Sequence, residues 1–175
     1  MPAMRLNLGC GNKRKEGYLG VDRYPCDAVD QIADLNGTLP YGESTIDEVW
    51  MDNVIEHIPD LPRLFAELHR ICRDGAEIKI VTPHFACHDS WRDPTHVQHL
   101  SYFSMDHFEK PDVAHYTKGG FRVLSRKLSF SGLLGNVGYL IYKLSPRLYE
   151  ARWCFVFRPG ALRFTMRVVK RSGGA

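Results

Sequence analysis

The chain has 175 residues, 44% hydrophobic and 25% charged, with 23 Lys and Arg against 20 Asp and Glu for a formal charge of +3. This supports one globular domain with a sizeable core and excludes a strongly acidic or basic solvating tail. No run reaches the roughly 18 apolar residues of a membrane span, the N-terminus has no long apolar core behind a basic start, and the five cysteines lack a CxxC pair, so a cytoplasmic protein without disulfide framework or thiolate zinc site is expected.

In chain order, MRLNL (4–8) reads as a strand stopped by Gly9-Cys10-Gly11. YLGV (18–21) and AVDQIA (28–33) are further strands, ending at Asp22 and Asp34, and IDEVWM (46–51) is a fourth. Asp60 caps a helix with a proline in its first turn, and Leu64, Phe65, Leu68, Ile71 and Cys72 form one stripe until Asp74-Gly75 ends it. EIKIVT (77–82) then completes a right-handed crossover into a parallel sheet. Residues 83–120 are polar, aromatic and histidine-rich, with at most a short helix over 104–109, and so long an irregular stretch inside one domain is usually functional. A strand FRVLSRKLSF (121–130), a glycine-interrupted apolar stretch, a helix from about Pro146 to Phe155 and a last strand ALRFTMRVV (161–169) close the chain.

A strand ending in Gly9-x-Gly11 turns the backbone sharply and lets a ligand approach. Asp22, closing the next strand, is placed to accept hydrogen bonds from both ribose hydroxyls, and Asp34 from an adenine amino group. Spacing separates the cofactors. Gly11 and Asp22 are 11 residues apart, whereas a dinucleotide fold places its acid about 20 residues on, and position 14 is Arg where a third glycine belongs. The first crossover helix is therefore read as a stub. A pyrophosphate relies on that helix's N-terminus, so an adenosyl sulfonium ligand without phosphates suits the site better. Lys13, Arg14 and Lys15 either hold phosphates or are simply solvated.

The segments LNLGCGNKRKEGYLGVD, ADLNGTLPY, IDEVWMDNVIEHI and EIKIVTPH, in that order, resemble class I S-adenosylmethionine-dependent methyltransferases, in particular a small bacterial branch with a shortened first helix. The resemblance covers residues 5 to about 109. It implies a Rossmann-like α/β sheet, mostly parallel with an antiparallel C-terminal strand, in three layers with reduced helices. It also implies that Gly9, Cys10 and Gly11 pass the methionine end of S-adenosylmethionine and that Asp22 takes the ribose hydroxyls. Asp34 and Leu35 would meet the adenine, and Asp52 and Asn53 would wall the pocket. The chain then reads as one domain, with a cofactor core over 1–82, an acceptor-site insertion over 83–120 and a basic part over 121–175.

Six of the eight histidines fall between 84 and 115. His84, His88 and His99 are candidates for binding a polar substrate. Asp93-Pro94-Thr95-His96 is a turn-forming unit in which Asp93 can orient His96 as general base for an acceptor hydroxyl or amine. The stretch follows the fifth strand, and ligands of open parallel sheets lie beyond the strands' carboxyl ends. Cys87, His88, Asp93, His96 and His99 carry metal-ligand atoms, but their spacings are unconstrained outside a helix and no metal is expected. His57 in VIEHI either takes part in catalysis or, like Glu56, braces the loop after the fourth strand. Asp93 and His96 have the same alternative of tying down their own loop.

Counted by region, residues 1–120 carry 12 basic and 19 acidic side chains, whereas 121–175 carry 11 basic and one acidic, Glu150. The basic part either attracts a phosphate-bearing substrate or an acidic membrane surface, nucleic acid being disfavoured, or is a solvated complement to the acidic half. LLGNVGYLIYKL with its flanking bases suggests an interfacial segment, although its glycines make a poor amphipathic helix. The favoured function is methyl transfer to a small polar acceptor, a sugar or nucleotide-sugar hydroxyl, by a cytoplasmic protein peripheral to a membrane. The alternatives are an NAD-dependent oxidoreductase and a non-catalytic nucleotide-binding module docking through the basic face.

Overall fold

Apolar runs punctuated by turn residues become strands at Arg5–Leu8 (β1), Leu19–Asp22 (β2), Gln31–Ile32 (β3), Ile46–Asp52 (β4), Cys72–Pro83 (β5), Phe121–Leu128 (β6) and Ala161–Val168 (β7). The computed structural model describes residues 3–109 and 120–170; His115, Arg171 and residues 110–119 of the acceptor segment lie outside them. The strands form one sheet in the order β3-β2-β1-β4-β5-β7-β6. β1 to β5 pair in parallel, and β7 runs antiparallel between β5 and β6, in keeping with the mostly parallel sheet and antiparallel C-terminal strand read from the sequence. Leu6, Leu8, Val49, Met51, Ile78 and Ile80 on the central strands are fully buried, as strands covered on both faces require. Strand order reverses between β1 and β4, so a crevice opens beyond their carboxyl ends.

The helix Leu61–Ile71 (α1) starts as its sequence dictates. Asp60 Oδ1 accepts a hydrogen bond from the Arg63 N–H at 3.0 Å, Pro62 occupies the first turn, and Leu64, Phe65, Leu68 and Ile71 are buried. Phe65 stacks on Phe108 of the short helix Asp106–Glu109 (α3) with ring centroids 3.8 Å apart, and meets Phe121 of β6 edge-on at 5.3 Å. One further single-turn helix, Asp89–Arg92 (α2), sits in the segment after β5.

Several boundaries differ from the sequence reading; the helix expected to reach Phe155 ends at Arg152 and the strand expected over 121–130 ends at Leu128. The connection from β1 to β2 holds no helix at all, because Gly9 and Gly11 take positive φ and the Lys13 N–H closes a turn on the Cys10 carbonyl at 2.8 Å. β3 shrinks to two residues. β5 begins directly after α1, so Asp74-Gly75 lies inside the strand, beside a register shift between Ile46 and Glu48.

The glycine-interrupted stretch is a helix, Gly132–Leu144 (α4), followed at once by Pro146–Arg152 (α5), in which Ser145 caps the first turn through the Leu148 N–H at 3.2 Å. Gly135 and Gly138 are on the buried side of α4: a Cβ at Gly138 would come within 2.8 Å of Phe157 Cβ and 3.1 Å of Phe130. Tyr149 of α5 is fully buried and donates to the Phe157 carbonyl at 2.7 Å.

Candidate active site

Four strand ends build one cleft. After β1, Gly9 takes φ 65°, and a Cβ there would lie 2.5 Å from Val54 Cγ2, so both the turn and the approach of the loop after β4 need glycine. At the end of β2, Asp22 Oδ2 accepts from the Gly11 N–H at 2.9 Å and Oδ1 from the Tyr24 N–H at 3.1 Å. After β3, Asp34 Oδ1 accepts from both the backbone N–H and the side-chain amide of Asn36 at 2.9 Å. The backbone bond first, then the amide, holds its carboxyl below the usual range. After β4, Asn53 adopts φ 55° and its N–H donates to the Val81 carbonyl at 2.9 Å; asparagine tolerates this left-handed turn better than most side chains.

Gly9, Asp22, Asp34, Leu35 and Asn53, all expected at the cofactor, line this cleft of about 450 Å³ together with Tyr24, His57 and Ile58. The volume falls within the roughly 300–1,000 Å³ of small-molecule sites. Two carboxylates oriented by backbone donors and an apolar wall of Leu35, Val54 and Ile58 fit an adenosyl group. The connection after β1, being turns, offers no helix N-terminus to a pyrophosphate. The remaining residues expected here sit elsewhere. Cys10 is buried with its thiol directed at the Ala28 carbonyl at 3.6 Å, and burial pushes its pKa up. Gly11 acts through its N–H on Asp22. Asp52 faces Lys13 Nζ at 4.0 Å and is not part of the lining.

A second cleft, of about 660 Å³, shares Asn53 and His57 with the first and is lined further by Glu56, Arg92, Asp93 and His96. His57 therefore stands in the common wall. Its Nδ1 is 3.0 Å from Thr95 Oγ1 and 3.3 Å from the Thr95 carbonyl, while the Thr95 hydroxyl donates to Asp93 Oδ1 at 2.7 Å. With its one proton given to Asp93, Thr95 Oγ1 accepts from His57, which puts the hydrogen on Nδ1 and the lone pair on Nε2. His96 follows the same logic, since its Nδ1 faces the Ser90 carbonyl at 3.1 Å and a carbonyl only accepts. The two rings meet edge to face with centroids 4.6 Å apart.

Asp93 was expected to orient His96, but its short contacts go to Thr95, with His96 Nε2 at 3.9 Å. The Thr95 bonds, hydroxyl first, hold the Asp93 carboxyl below its ordinary range. Glu56 is 1% exposed; Oε2 accepts from the Thr82 hydroxyl at 3.0 Å, and burial raises its pKa. One nitrogen of His57, one of His96 and a Glu56 carboxylate oxygen lie within 4.8 Å of one another, a donor set able to take a cation although none was expected from the sequence.

The histidines assigned to substrate line neither cleft. His84 is fully buried, its Nδ1 accepting from the Ala86 N–H at 3.0 Å and its Nε2 donating to Glu150 at 2.8 Å. With both nitrogens engaged, His84 ties the end of β5 to α5 and has nothing left for a substrate. His99 stacks on Trp91 at 3.7 Å with Nδ1 on the Ser90 hydroxyl, and His88 is exposed beside Asp89. Sequence reasoning passed over Thr95 as a functional side chain, although it stands inside the Asp-Pro-Thr-His unit that was singled out.

A family profile described as a methyltransferase domain matches residues 6–80, which run from β1 into β5. Among solved structures, the chain resembles an S-adenosylmethionine-dependent methyltransferase from Archaeoglobus fulgidus at 20% identity and TM-score 0.61, covering 94% of this chain and 86% of that one. It resembles another from Mesorhizobium loti at 16% identity and TM-score 0.58, covering 94% and 90%. The [4+2]-cyclase SpnF is similar at 15% identity and TM-score 0.61, covering 95% and 75%. At such identities the likeness establishes the fold. No curated protein matches the sequence.

Proposed function

We propose that this chain is a class I S-adenosylmethionine-dependent methyltransferase that methylates a hydroxyl of a small polar acceptor, a sugar or nucleotide-sugar, a reading supported by the matched methyltransferase domain and the shared fold. The observation that carries this reading is the pair of clefts with His57 and Asn53 in their shared wall. S-adenosylmethionine, the cofactor, supplies when bound a methyl group on a positively charged sulfur, which is a strong electrophile. In this reading Asp22, held by two backbone N–H groups, receives the ribose hydroxyls, and Asp34 with Asn36 meets the adenine edge. Gly9 and Asn53 leave the backbone open beside the methionine end.

The acceptor occupies the second cleft, where Arg92 is the cation for a phosphate-bearing substrate. His57 takes the hydroxyl proton on Nε2 while Thr95 and Asp93, as positioning residues, hold Nδ1–H. His96, whose Nδ1–H is held by the Ser90 carbonyl, borders the same cleft with an acceptor Nε2 that can receive a second hydroxyl of the acceptor. A positioned base contributes about 10² to 10⁴ in rate, and alignment of the acceptor supplies the larger share. In this reading the protein works in the cytoplasm.

Calorimetric titration with S-adenosylmethionine, S-adenosylhomocysteine and NADH tests the reading. Both sulfur ligands should bind, NADH should not, and Asp22→Ala should weaken both by about tenfold to a hundredfold through loss of hydrogen bonds to a charged acceptor. Failure of either sulfur ligand to bind the parent protein ends it.

A further inference from the structure

α4 is inverted relative to an ordinary surface helix. Its buried stripe is Gly135, Gly138 and Tyr142. Leu133, Val137, Leu140 and Leu144 each stand two positions from a buried residue, which on a helix is the opposite side. Leu133 is 82%, Leu140 64% and Leu144 85% exposed, with Leu134 beside them at 67%. The helix cannot roll over to bury them, because Phe157 and Phe130 approach Gly138 too closely for any larger residue. Exposed apolar side chains continue through Leu148 of α5 to Trp153, Phe155 and Val156 in the turn that follows.

Charge says what covers this surface. Lys143, Arg147, Arg152 and Arg158 are exposed within the same segment, and none enters an ion pair among the described residues. Its one acid, Glu150, is turned inward, accepting from His84 at 2.8 Å and from the Tyr102 N–H at 2.7 Å. A second copy docked about a two-fold axis would bring these cations against their own equivalents. A leucine ridge flanked by cations and by Trp153 and Tyr139 has the chemistry of the boundary between headgroups and acyl chains.

We propose that the outward face of α4, with α5 and the turn 153–156, docks this protein on an anionic phospholipid surface. The leucines enter the acyl boundary and the cations meet lipid phosphates. The inference goes beyond methyl transfer and does not depend on it. It also sets the acceptor cleft beside the lipid, because Phe155 packs edge-on against Phe85 at 5.6 Å, and Phe85 leads into the segment that lines that cleft.

Sedimentation with vesicles is the test, using phosphatidylcholine alone and phosphatidylcholine mixed with phosphatidylglycerol in equal parts. The protein should pellet with the anionic vesicles, remain in solution with the neutral ones, and be released by high salt. Leu133→Ser/Leu140→Ser/Leu144→Ser should abolish pelleting, and Arg147→Glu/Arg152→Glu should weaken it by roughly tenfold for each charge reversed. These exposed positions should leave the circular dichroism melt and the S-adenosylhomocysteine titration unchanged, so loss of vesicle binding is separable from loss of fold or of the methyltransferase reading. The proposal falls if the parent protein stays in the supernatant with anionic vesicles, or if the leucine variant pellets equally well. A parent protein that elutes as a dimer and becomes monomeric only in the leucine variant overturns it in favour of a second copy.

Discussion

Thr95 connects the acid of its own turn, Asp93, to the imidazole that ends the short 3-10 helix Ile55–His57, and its replacement gives the sharpest single-residue expectation at the shared wall. Thr95→Val keeps the shape but removes the nearer acceptor for His57 Nδ1–H and its link to Asp93, leaving only the Thr95 carbonyl at 3.3 Å. The turnover number should fall about tenfold to a hundredfold while S-adenosylhomocysteine affinity holds, and Thr95→Ser should restore the rate. A Thr95→Val enzyme with unchanged turnover would show that His57 needs no such partner. Gly9→Ala combines a left-handed φ with a contact against Val54, so it should lower the thermal midpoint, and the second change Val54→Ala should recover part of the loss. Legibility at this scale follows chain distance. Asp22 and Asp34 were readable because their backbone donors lie within 11 residues of them. The Thr95 to His57 bond spans 38 residues and the His84 to Glu150 bond 66, and no local pattern encodes either. His84 therefore passed for a substrate ligand when it is a brace.

Among the elements, α1 was legible because everything that specifies it is local: a capping aspartate, a first-turn proline and an apolar stripe. Asp60→Ala leaves the Arg63 N–H without its acceptor and should cost about 1 kcal/mol in urea unfolding. α4 was not legible, for a physical reason. Periodicity looks for large apolar residues facing inward, and here the inward residues are glycines while the leucines face out. The missing helix after β1 follows from the opposite simplicity, since so short a connection between two adjacent strands was bound to be reduced, and turns complete it.

Across the whole molecule, the acidic and basic regions are partly each other's partners. Glu77 of β5 meets Arg167 of β7 at 3.6 Å, Asp106 pairs with Arg126, and Asp74 accepts from the Lys170 N–H at 2.9 Å. Among the described residues Arg122, Lys127, Lys143, Arg147, Arg152, Arg158 and Arg163 enter no ion pair, so the solvated-complement reading accounts for only a portion of the basic part. Stability against acid rests on carboxylates such as Glu67, which accepts from Arg70 at 2.6 and 2.9 Å and from the Leu39 N–H at 2.7 Å. The Arg70 bond above all holds its pKa below the ordinary 4.5. A carboxyl whose folded pKa is depressed contributes fully above its unfolded pKa and loses that contribution as pH falls through the folded one. The parent protein should therefore exceed Glu67→Gln in stability at neutral pH, with the gap closing below about pH 4.5. A gap independent of pH in urea titrations would refute the assignment.

The assignment of the cofactor to the cleft at the ends of β1 to β4 is tested most directly by a crystal structure of the protein with S-adenosylhomocysteine. The ribose hydroxyls should lie on the Asp22 carboxylate, the adenine beside Asp34 and Asn36, and the sulfur toward the wall formed by Asn53 and His57. Density for the ligand outside this cleft, or a ribose out of hydrogen-bonding reach of Asp22, would contradict it.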